Sequence, residues 1–131
     1  MAALTSGLLD TSVFIARESH RKIEVDLLPD LSAVSAVTIG ELRWGVLMAP
    51  DDRARSVRLD TLGFARDLEP LDVDEAVAGS WALLRQQLKA TGRRMEVNDS
   101  WIAATAIAHD LPLMTQDRGF RDIPGLTVIE V

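Results

Sequence analysis

An α/β fold built on a parallel sheet covered by helices is what the sequence predicts, and three observations predict it. Short apolar runs rich in Leu, Val and Ile alternate with longer stretches of helical period. The alternation keeps the spacing of βαβ units rather than of hairpins. At 131 residues the chain is one domain's worth, with no internal repeat or low-complexity linker, so residues 1–131 are read as a single domain.

Each element has its own signal. The run GLLD reads as a short buried strand ending at Asp10, and TSVFIARESH can cap and begin a helix. VDLLPD is a turn or short helix, and LSAVSAV, with its small and β-branched residues, is the second strand. TIGELRWGVLMA places Leu42, Val46 and Ala49 at helical spacing before Pro50 stops the helix. DDRARSVRLDTLGFARDL is helical with an arginine-rich face, and EPLDV reads as a short strand. A long helix runs from Asp74 to Ala90 with Gly92 placed to end it. A helix from Ser100 to His109 follows, then strands at LPLMT and LTVIEV.

Composition removes several function classes. A hydrophobic fraction of 47% is that of a globular protein, and no run approaches the roughly 18 apolar residues of a membrane span. MAALTSGLLD lacks the basic start of a signal peptide, which fits a cytoplasmic location. Without cysteine there is no disulfide frame and no thiolate metal site. The net charge of -6 argues against nonspecific coating of nucleic acid, but leaves room for a nuclease whose acids gather at one metal site with arginines at its rim.

Four acids are predicted to share one edge. In a βαβ fold every strand's C-terminal end meets the next helix's N-terminus, and ligands gather outside that edge. Asp10 closes the first strand, and Glu41 falls in the first turn of the helix after the second. Asp99 begins a helix that descends about 15 Å. LPLMT climbs back by roughly 13–17 Å, delivering Asp117 to the same edge. Two carboxylates at about 4 Å repel by some ~4 kcal/mol at an effective dielectric near 20, so protons or a cation must relieve the cluster. All-oxygen donors suit Mg²⁺ or Mn²⁺. Singly, each acid also has a structural reading: Asp10 as a helix cap, Glu41 closing a capping box with Thr38, Asp99 complementing a helix dipole, Asp117 making a turn.

The chain resembles the PIN-domain ribonucleases, and within them the VapC toxins of bacterial toxin–antitoxin pairs. The resemblance rests on LLDTS at Leu8–Ser12, SAVTIGELRWGV at Ser35–Val46, NDSWIAATAIAHDLPLMTQDRGF from Asn98, and the closing IPGLTVIEV. It implies a three-layer α/β/α sandwich with a central, mostly parallel sheet and a metal-dependent endoribonuclease site. The family's acidic quartet carries over onto Asp10, Glu41, Asp99 and Asp117, and its supporting hydroxyls onto Thr11, Ser12 and Thr115. The reaction implied is in-line attack of water on an RNA phosphodiester, tRNA or rRNA for example, with one or two Mg²⁺ or Mn²⁺ held by the carboxylates. It leaves a 5′-phosphate and a 3′-hydroxyl. Gly119 departs from the family, which often carries Asp or Asn shortly before the phenylalanine of the last motif. A cognate antitoxin and a homodimer are the partners implied. The readings that compete with this one are a non-catalytic PIN-like binding module and a housekeeping nuclease outside a toxin–antitoxin pair.

Other charges and aromatics are weighed against these. Arg93 and Arg94, just before the Asp99 helix, are the candidates for RNA-backbone contact. Arg17, Arg21 and Lys22 form a second basic group, and Arg53, Arg55 and Arg58 read as a solvated face. Trp44, Trp81 and Trp101 lie in helical patterns and read as core or partner packing. The helix around Trp44, with Leu42, Val46, Leu47 and Met48, is apolar on nearly every side and must be buried or covered by another chain. His20 and His109 read as structural or exposed. A haloacid-dehalogenase site would need an aspartate where Ser12 stands. A receiver domain would need an acid beside Asp10 and a late lysine, and Lys89 is the last.

Overall fold

The computed structural model describes residues 3–131. Within it β1 (Ser6–Leu9), β2 (Leu31–Ala33), β3 (Leu113–Thr115) and β4 (Val128–Glu130) form one sheet in the order β2-β1-β3-β4, and every pairing is parallel. The helices are α1 (Thr11–Glu18), α2 (Ala36–Leu47), α3 (Asp52–Arg66), α4 (Glu75–Ala90) and α5 (Val97–Ala108). Single 3₁₀ turns lie at Val25–Leu27 and Arg118–Phe120.

Neighbouring residues in the central strands serve opposite cores, as a pleat of period two requires. Leu9 and Met114 pack with Val13, Phe14, Leu42, Val46 and Leu62 beneath α1–α3. Leu8 and Leu113 pack with Leu84, Leu88, Ile102, Ala106 and Phe120 beneath α4 and α5. This is the expected three-layer sandwich, with a sheet that is wholly parallel. Burying Phe14 and Leu8 completely contributes roughly 1.5–3 kcal/mol each. In β1, a Cβ at Gly7 would run into the end of the Met114 side chain, which must shift to admit it.

Three sequence expectations are corrected. LSAVSAV leaves the sheet after Ala33, because the Ser35 hydroxyl caps α2 by accepting from Val37 N at 3.0 Å. That early start puts Glu41 in the second turn of α2, not the first, and the Thr38–Glu41 capping box does not form. EPLDV is no strand: Leu71 makes a lone parallel bridge to Ser35, since the chain beside it has already turned into α2. The remaining helices match, with α5 opening three residues earlier than Ser100 so that Asp99 lies inside its first turn. Among the described residues no helix is long and apolar enough to cross a membrane.

Candidate active site

The order β2-β1-β3-β4 reverses direction at β1, so the crevice outside the C-terminal ends of β1 and β3 is the switch point where parallel sheets bind ligands. Asp10 leaves β1 there, 3% exposed, as the N-cap of α1. Its Oδ2 accepts from Ser12 Oγ at 2.6 Å, Thr115 Oγ1 at 2.8 Å and Ser12 N at 3.3 Å. Burial pushes this carboxyl above its ordinary 3.8, against the downward pull of those donors. Ser12 Oγ in turn accepts from Gln116 N at 2.9 Å, and Thr115 Oγ1 from Asp117 N at 2.9 Å. The two hydroxyls therefore splice the end of β1 to the end of β3.

Glu41 comes from α2. Its Oε1 accepts from Thr11 Oγ1 at 2.8 Å, and with that proton committed, the 2.9 Å contact between Thr11 and buried Thr38 has Thr38 as donor. Asp117 caps the 3₁₀ turn, its Oδ1 accepting from Gly119 N at 2.7 Å. Gly119, where the family often carries an acid or amide, offers only backbone, and a Cβ there would sit 3.0 Å from Asp117 Oδ1. Asp10, Glu41 and Asp117 are thus each gripped through one oxygen, leaving the other outside these bonds.

Asp99 holds the cluster's electrostatic signature. Desolvation first, then repulsion from Asp10, Glu96, Asp117 and Glu41, raises its carboxyl to about 7. Glu96 is the residue the sequence reading missed. It is the N-cap of α5, but its side chain bonds no backbone N–H of that helix. With Thr11, Glu41, Trp44 and Asn98 it lines a cleft of about 630 Å³ on this edge. Its only sequence signal is an acid three residues before Asp99.

The structure thus brings the field of four predicted acids to bear on one edge, with Thr11, Ser12 and Thr115 beneath them. A divalent cation fits the hard-oxygen chemistry of this set and its unrelieved repulsion. As the side chains stand, no three described His, Asp or Glu groups are close enough to hold one ion, so an ion would have to draw the carboxylates closer together. Arg93 reaches the same edge, its Nη2 donating to Gly119 O at 3.1 Å, while Arg94 lines a groove behind it. Trp81 and Trp101 stack on each other at 4.4 Å, as packing residues do. Trp44 is 63% exposed. His20 and His109 are exposed at turns.

The PIN domain family matches residues 7–126. The chain is a PIN domain. Ribonuclease VapC5 from Mycobacterium tuberculosis is 47% identical to it over 126 residues, covering 96% of this chain and 93% of that protein. Ribonuclease VapC4 of the same organism is 46% identical over 130 residues, covering 95% and 96%. A chain in the crystal structure of VapBC-5, a toxin–antitoxin system of M. tuberculosis, superposes with a TM-score of 0.89 at 43% identity, covering 97% of this PIN domain and 99% of that chain. The sandwich and the VapC kinship expected from the sequence are both borne out.

Proposed function

We propose that this chain is a VapC-type endoribonuclease toxin that hydrolyses RNA phosphodiesters at the Asp10, Glu41, Asp99 and Asp117 edge and is neutralised by a VapB-type antitoxin. The observation that carries the reading is the raised Asp99 carboxyl, which senses Asp10, Glu41 and Asp117 from three other segments at the sheet's switch point. The ribonuclease names of close relatives support the chemistry, and the VapBC assembly of a close structural relative supports the partner.

Asp10, Glu41, Asp99 and Asp117 would hold Mg²⁺ or Mn²⁺. Such an ion, when bound, would supply charge neutralisation at the scissile phosphate and would acidify the attacking water. The chain's own contribution is positioning. Ser12 and Thr115 fix Asp10 through Oδ2, so its remaining oxygen keeps one direction. Thr11, backed by Thr38, fixes Glu41 in the same way. Glu96 adds negative charge at the mouth and strengthens the demand for a cation.

The partner reading rests on α2. Trp44, Leu47 and Met48 are 63%, 70% and 57% exposed on the helix that carries Glu41. An antitoxin segment that covered Trp44 would also close the cleft Trp44 shares with Glu41.

Calorimetric titration of Mn²⁺ and Mg²⁺ tests the metal, with Asp99→Asn and Asp117→Asn alongside; the folded variants are expected to lose binding. Cleavage of total RNA in the presence of Mg²⁺ tests the activity. Full metal-dependent cleavage by Asp10→Asn or Asp99→Asn would sink the assignment.

A further inference from the structure

Behind the acidic edge lies a groove of about 610 Å³ walled by Arg85, Lys89, Arg93 and Arg94, with Leu88 and Met95 as its apolar lining. No acid lines it, although the chain carries 20 acids against 14 lysines and arginines. Among the described residues, none of the four cations stands within salt-bridge distance of a carboxylate; such pairs involve Lys22, Arg55 and Arg121 instead. Lys89, in the last turn of α4, is what a helix C-terminus attracts. Arg85 lies a turn further back, and Arg93 and Arg94 lie beyond the helix, so the dipole does not account for the group.

Two hydrogen bonds connect this groove to the acids. Arg93 Nη2 donates to Gly119 O at 3.1 Å, and Gly119 N donates to Asp117 Oδ1 at 2.7 Å. Arg85 also lies 5.4 Å over the Trp81 ring, but none of the four is neutralised by a described carboxylate, and Arg93 comes within one residue of Asp117. Cations that keep their charge for an external anion beside such an edge form a backbone track. We propose that the groove of Arg85, Lys89, Arg93 and Arg94 binds the sugar-phosphate backbone of an RNA strand beside the nucleotide cleaved at the carboxylates. The location rests on the ribonuclease reading above. The anion chemistry does not.

Phosphate contacts are indifferent to sequence, so an arbitrary strand is a valid probe. The experiment is fluorescence anisotropy of a labelled 12-nucleotide single-stranded RNA in EDTA, which prevents cleavage, across a range of salt. Lys89→Glu/Arg94→Glu leaves Arg93 on its loop and is expected to weaken binding by about tenfold, with the log–log salt slope falling by about 1.4 for two lost contacts. Arg53→Glu/Arg55→Glu on α3 makes the same charge change elsewhere and is expected to leave most of the affinity. Equal losses in both variants, or no binding by the wild-type chain, overturn the proposal. Displacement by octaglutamate as effective as by unlabelled RNA also overturns it, and assigns the groove to an acidic protein. Groove-dependent binding in EDTA with no cleavage of any RNA in Mg²⁺ would sink the nuclease reading alone.

Discussion

Replacing Asp99 by Asn should stabilise the metal-free protein above neutral pH while removing its function. A carboxyl that ionises near 7 instead of 3.8 carries about 4 kcal/mol of unfavourable ionisation. Asp99 is only half-buried, and solvent screening leaves on the order of 1–2 kcal/mol. Because the folded state holds this proton more tightly than the unfolded chain, stability is fully present below about pH 4 and is lost as pH rises toward 7. Thermal unfolding in EDTA should therefore show the wild-type melting temperature falling between pH 4 and 8 by about 3–10 °C more than that of Asp99→Asn. Mn²⁺ at pH 8 should restore the wild type and not the variant. Parallel pH profiles for the two proteins would refute the claim that Asp99 sits in the field of the other acids.

Thr115→Val deletes the buried donor to Asp10 and the acceptor of Asp117 N, and should cost about 2–3 kcal/mol in urea unfolding while driving the Asp10 carboxyl still higher. Gly7→Ala should lose about 1–2 kcal/mol by forcing Met114 aside, and Met114→Ala in the same chain should recover part of that loss through shared space. Trp44→Ala should leave stability within about 0.5 kcal/mol, since the side chain is mostly exposed, yet weaken capture of a co-expressed antitoxin in a pull-down.

How far the sequence could be read depended on whether a feature was local. The strand ends at Leu9, one residue before the expected Asp10, and at Thr115, and the α4 stop near Gly92, are set by short-range chemistry and came out close to expectation. EPLDV failed because a strand needs a neighbour, and Ser35 had taken that neighbour into α2; Leu71 N and O still bond Val34 O and Ala36 N. Thr38 looked like a cap because Glu41 follows at the right spacing, but Ser35 lies one turn earlier and won. Thr38 is instead a buried hydroxyl behind Thr11. Glu96 offered only its place three residues before Asp99, and its part depends on the charge it brings to bear on that carboxyl. The shared edge of Asp10, Glu41, Asp99 and Asp117 was legible because parallel topology alone sends those positions the same way.

For Asp10 and Asp117 the structural reading does not exclude the chemical one. Asp10 caps α1 through Oδ2, and Asp117 caps its 3₁₀ turn through Oδ1. A cap fixes one carboxylate oxygen and so aims the other. In a parallel sheet the caps after the strands all lie at one edge, so the devices that start helices also assemble the site. Asparagine caps as well as aspartate but brings no charge. Asp10→Asn should therefore keep the α1 cap and the fold while losing metal binding and cleavage. Asp10→Ala should lose the fold's stability too, by about 1 kcal/mol for the cap alone. If the two variants were equally unstable, the carboxylate's charge would be holding the fold, and its assignment to chemistry would lose its footing.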